Sequence, residues 1–191
     1  MNYKELYHIA FLLISSPPRA WEEIRLIKDK QRVFITFVYP MIGLCGLSVF
    51  IGSLLIKGWG GPQSFQYAMT QCCAIAVSLF GGYFLAAYLI NELRVRMLGR
   101  ESDLLSVQQF AGYSMVVLFL LHIILGLLPG FHIIALLLQF YTVYIVWEGV
   151  KPCLSVDEPM RLRFTILISA LLILCPWVIE KVFNMLTSTL N

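Results

Sequence analysis

The chain has 191 residues, 59% of them hydrophobic and 13% charged, with a net charge of +3. A charge this small, with the basic residues gathered at the edges of apolar runs, excludes a nucleic-acid binder. The apolar residues fall into five stretches long enough to cross a bilayer, which identifies a polytopic helical membrane protein.

The N-terminal run 6–14 is almost wholly apolar, follows Lys4 and ends at Ser15-Ser16-Pro17-Pro18. A cleaved signal peptide starts in a similar way, but no small-x-small cleavage site follows. The segment is too short to span, so a retained helix lying on the inner leaflet is expected. Ser16 suits an N-cap, with Pro17 and Pro18 in the first turn, where a missing N–H matters little. The next helix, 19–30, carries Trp21, Ile24 and Ile27 on one side, and Trp21 is expected among the headgroups. Residues 1–32 thus form an interfacial, cytoplasmic helix pair, and residues 33–191 a five-helix transmembrane domain: an all-α membrane bundle.

The spans read 33–56, 67–90, 110–128, 131–147 and 164–183. A helix rises ~1.5 Å per residue, so ~20 residues match a hydrocarbon core of ~30 Å. None holds a charge near its centre, where one costs at least ~2.5 kcal/mol. Of 14 Lys and Arg, twelve precede the first span or lie in the second and fourth loops; only Lys57 and Lys181 fall on the other side. Positive residues stay inside, so the N-terminus is expected in the cytoplasm and the C-terminus opposite. The first outer loop, 57–66, is marked by Gly58, Gly60, Gly61 and Pro62, and Pro129-Gly130 makes a tight hairpin.

Ala74, Ser78, Gly82 and Ala86 recur every four residues on the second span and form one small face. In lipid, helices associate by close backbone approach, which small residues permit. The first or third span is expected to cross that face, and Ser48 and Gly52 repeat the spacing in the first span. Polar groups within the bilayer are few: Gln71, Tyr113 and Ser114, then Gln139, Tyr141, Thr142 and Tyr144. Gln139 lies nearest mid-membrane, and its amide needs partners inside the bundle. It reads either as structural glue or as part of a substrate path.

His122 and His132 flank the outer hairpin and are weak zinc candidates, since two His without a third ligand do not make a site. The five Cys form no framework, and free thiols in lipid act as small apolar residues. No paired carboxylate, G-x-S-x-G, H-E-x-x-H or P-loop pattern is present. No catalytic residue and no cofactor are implied. At the inner helix ends, Glu148 is placed to pair with Arg94 or Arg96, with Lys151 as a local alternative; Glu92 shares the depth of Arg94.

The stretch from Pro17-Pro18-Arg19-Ala20-Trp21 to Ile24, the Phe110-Ala111-Gly112-Tyr113-Ser114 start of span three and residues 144–151 carry a resemblance. With five spans and a cytoplasmic N-terminus, the chain resembles the Yip family (Ypt/Rab-interacting membrane proteins) in its small bacterial form. The resemblance covers essentially the whole chain and implies a five-helix membrane module without established catalytic residues. In eukaryotic relatives it implies vesicle traffic, membrane shape and small GTPase partners. Their long soluble N-terminal region and aspartate-leucine-tryptophan-glycine-proline stretch are absent, so no site residue is carried over. The expectation is a non-enzymatic module of a bacterial inner membrane that organises lipid, binds other membrane proteins or self-associates. The alternative is a small transporter or channel with a polar path near Gln139.

Overall fold

The computed structural model describes residues 3–58 and 61–190; Met1 and Gly60, which figure in the expectations above, lie outside them. The chain is 89% helical, with no strand among the described residues. Two short helices, α1 (Tyr3–Ser15) and α2 (Pro17–Leu26), come first. α2 starts behind Ser16 as expected but ends at Leu26, four residues before the expected end.

The first span opens with a π-helical turn, Phe34–Val38, and continues as α3 (Tyr39–Lys57). Pro40 explains the turn, because it brings no N–H to the helical ladder and a widened turn absorbs the gap. α4 (Pro62–Leu98) starts with a proline, ends at the left-handed Gly99 and runs for 37 residues. At ~1.5 Å per residue it spans about 55 Å, well beyond a ~30 Å core. The apolar span therefore need not include its last turns, which carry Glu92, Arg94 and Arg96. Because α4 begins at Pro62, the first hairpin is tighter than the expected 57–66 loop.

The third span is bent. α5 (Leu104–Ser114) and α6 (Val116–Leu127) meet at 41° about Met115. No proline lies there; Gly112 and Ser114 supply the weak point. After a 3₁₀ turn at Pro129–Phe131, the fourth span is α7 (His132–Leu138) and α8 (Tyr141–Leu154), joined through a tightened but still helical turn at Gln139-Phe140. The last helix, α9 (Glu158–Leu190), contains Pro176. Four spans are long and apolar enough to cross a membrane, and the bent α5–α6 pair supplies a fifth.

α4 is the hub, packing most extensively against α9 and α3. All four small residues of its stripe are buried. The crossing at Gly82 is made by α9, not by the first or third span. A Cβ on Gly82 would lie 2.5 Å from the Cα of Pro176 and 2.6 Å from its nitrogen. α3 instead meets α6 through its own small pair: a Cβ on Gly52 would strike the Gly126 carbonyl, and one on Gly126 would lie 2.7 Å from Ser48 Oγ. Small residues thus make two crossings, each with backbone against backbone. Large apolar side chains such as Leu47, Ile133, Ile166 and Leu174 remain exposed around the bundle. They make its lipid-facing belt.

Candidate functional site

The two ends of the bundle are built differently. At the basic end, where the termini of α2, α4, α5 and α8 gather, the interior is solid. Trp21, Tyr83, Tyr113, Phe37 and Phe110 are almost completely buried. Trp21 is the pivot. Its indole N–H donates to the Ile145 carbonyl at 2.9 Å and its ring stacks on Phe110 at 5.2 Å. Gly149 leaves room for it: a Cβ there would lie 2.5 Å from the indole. This corrects the expectation of a headgroup tryptophan. α2 is a core element set between α5 and α8, because its apolar face finds protein before it finds lipid. α1 lies against α2 and is double-faced, with Leu13 buried and Tyr7 and Phe11 exposed.

Polar contacts tie this end together. Asp103 accepts the Ser106 backbone N–H at 3.1 Å and caps α5, and Lys30 reaches it at 3.2 Å. Burial would raise the Asp103 carboxyl, but bonds from the Ser106 hydroxyl and N–H, and from Lys30, outweigh it and hold it below its ordinary value. Glu148 does not pair with Arg94, Arg96 or Lys151. Its partner is Arg161 of α9, at 4.0 Å. The Arg161 guanidinium stacks 4.1 Å over the Trp147 ring and donates twice to the Trp147 carbonyl, at 2.9 and 3.2 Å. Arg96 pairs with Glu92 one turn away, Arg94 donates to the Glu101 carbonyl, and Lys151 pairs with Glu158. The three-residue link between α8 and α9 makes an antiparallel hairpin, which brings the first turn of α9 beside the last turns of α8 and Arg161 within reach of Glu148.

Ser114, at the bend of the third span, is fully buried with its hydroxyl unpaired, as are Thr142, Thr165 and Ser169. Tyr113 packs on Phe37 with ring centroids 4.8 Å apart.

The opposite end is hollow. A cavity of about 560 Å³ opens there, with walls from α3, α4, α6, α7 and α9. Leu79 and Leu118 line its deep end. One turn nearer the basic end, Tyr83 fills the interior and donates to the Gln108 carbonyl at 2.9 Å. The cavity collects polar residues the sequence scattered: Gln71, His122, His132, Gln139, Glu180 and Lys181. Among the described residues, neither Gln71 nor Gln139 has a side-chain hydrogen bond, so Gln139 faces space where a helix-to-helix bond was expected. The His122 Nδ1 lies 2.7 Å from the Leu118 carbonyl. A carbonyl only accepts, so Nδ1 carries the hydrogen and Nε2 is left as an acceptor in the neutral ring. No three His, Cys, Asp or Glu among the described residues stand close enough to hold a metal ion. Glu180 has no ion pair among the described residues, and Lys181 sits 5.8 Å over the Trp177 ring.

A lipid-facing belt, five apolar crossings and a core shared by all the helices define a multi-pass α-helical membrane protein. The chain belongs to the Yip family: the Yip1 domain matches residues 11–179, nearly its whole length. No curated protein and no solved structure matches it.

Proposed function

We propose that this Yip-family protein is a non-enzymatic module that organises lipid or binds other membrane proteins. Its basic end faces the cytoplasm of a bacterial plasma membrane, and its C-terminus faces the other side. The observation that carries this reading is the solid interior beneath the cavity. A conduit needs a continuous polar path, and buried aromatic rings stand where that path would run. The twelve basic residues on one side support the orientation.

Extraction of native membrane patches with an amphipathic polymer tests the role. Particular proteins or lipids should be enriched around the protein over the bulk membrane, and a bulk composition would refute the reading. Reporters fused at Asp157 and at the C-terminus should report opposite compartments.

A second reading, a small transporter, is favoured by one observation: the cavity reaches Gln139. It requires the aromatic interior to open. Sustained solute flux through proteoliposomes would replace the first reading with this one.

A further inference from the structure

We propose that the cavity seats one phospholipid with an aminoethyl phosphate head, its head at the mouth and one chain top directed inward. This deepens the lipid-organising reading and takes its leaflet from the orientation proposed with it.

The polarity of the cavity is graded as a lipid is. Glu180 and Lys181, adjacent and opposite in charge, stand at its mouth, and Leu79, Leu118 and Ile173 line the interior. Glu180 has no cation of its own among the described residues, so an ammonium group would complete it. Lys181, held over Trp177, stands where the phosphate of the same head would lie. A purely anionic head would meet Glu180 unfavourably and a purely cationic one Lys181, so the pair selects a zwitterion, and the Glu180 carboxylate favours a primary ammonium, which can donate to it, over a quaternary one, which cannot. Gln71 adds an amide donor with no side-chain partner among the described residues, suited to the ester carbonyls below a headgroup.

The volume and the side wall point the same way. About 560 Å³ is the size of a small-ligand site. It holds a headgroup and the top of a chain, and the remaining chain length has to leave sideways. The wall on the α7 side provides the exit. α8 packs on α9, whereas the main neighbours of α7 are α6 and the turn before it. Ile56, Leu136 and Trp177 are exposed and also line the cavity, so its wall is open to the bilayer side at these residues.

The experiment uses the purified full chain in a mild detergent, stripped of lipid and then given phosphatidylethanolamine, phosphatidylcholine or phosphatidylglycerol. Native mass spectrometry counts the lipids retained. One phosphatidylethanolamine per chain should survive activation that removes the other two. Glu180→Gln should lower its retention about tenfold, the loss expected for one charge-assisted hydrogen bond. Ala135→Trp, which fills the cavity from α7, should abolish it. If Ala135→Trp does not fold, Glu180→Gln and Lys181→Gln still decide the matter. Equal retention of all three lipids, or retention unmoved by the charge variants, overturns the proposal. So does equally tight binding of soluble glycerophosphoethanolamine, which would make the site one for a free solute. These readouts need neither orientation nor partner, so they can fail while the membrane-organising role stands, and the reverse.

Discussion

Gly82→Ala isolates the contact between the two longest helices. In a helix interior, Gly→Ala by itself favours the folded state by ~0.5–1 kcal/mol. At Gly82 the new methyl would meet the Cα and nitrogen of Pro176 at 2.5 and 2.6 Å. Those atoms belong to a ring-locked backbone that cannot rotate away. Overpacking costs ~1–3 kcal/mol, and an obstacle of backbone places this case in the upper half of that range. The net is a loss of about 1–2.5 kcal/mol once the helix gain is subtracted. For a chain of this size that lowers Tm by roughly 2–10 °C. Gly43 is the matched control: it lies in α3 with nothing within 4 Å of its added Cβ. Gly43→Ala should leave Tm unchanged or raise it. Melts of both variants in one detergent, followed by the size-exclusion peak that survives heating, make the comparison. If Gly82→Ala melts at or above the parent protein, α4 and α9 do not meet backbone to backbone there. The small-residue stripe would then not be a packing face.

Trp21→Ala should cost ~3–5 kcal/mol and loosen α2, seen as faster proteolysis in the segment after Leu26; unchanged protection would refute the buried position of α2. Arg161→Ala leaves the Trp147 carbonyl and Glu148 without their donor and should cost ~1–3 kcal/mol. Arg161→Lys should recover less than half of that, because a lysine keeps the charge but not the fork and the stack; full rescue would show that charge alone matters. Asp103→Ala should cost ~0.5–2 kcal/mol as a lost helix cap, with little added by the Lys30 pair, which is more than a third exposed. The folded Asp103 pKa lies below its unfolded value, so its contribution is full above about pH 4 and is lost as pH falls through the lower folded value. Asp103→Asn should therefore flatten the acid side of a Tm-against-pH curve, and a parallel curve would refute the assignment.

The spans were legible because an apolar run of bilayer length has few other uses, and the buried stripe on α4 because four small residues in register are a geometric statement. The partners of those faces were less legible. Nothing in Gly82 names Pro176, although a proline in the middle of the fifth span marks a point where a helix changes its outline. The destination of α2 was misread for a physical reason: a Trp–Ile stripe suits an interface and a protein groove equally well. Gly149 carried the missing signal, a gap at the basic end of span four large enough for an indole. The pairing of Glu148 with Arg161 was not readable from the spacing, since Glu148 lies six residues before the end of α8 and Arg161 only three after the start of α9. The cavity was not readable. It arises where α7 departs from α9, and Gln139-Phe140, where the helix tightens, contains neither proline nor glycine.

The bond from Trp21 to Ile145 spans 124 residues of sequence. At roughly 5–20 residues per second a ribosome needs about 6–25 s to lay down that interval. During that time α2 exists without the helix that will receive it. The first helices made are therefore among the last to reach their final place, and their apolar sides must wait against the membrane surface. An interfacial helix is a fair description of that waiting state, and burial beneath α8 a description of its end. Assembly of this bundle closes at its beginning.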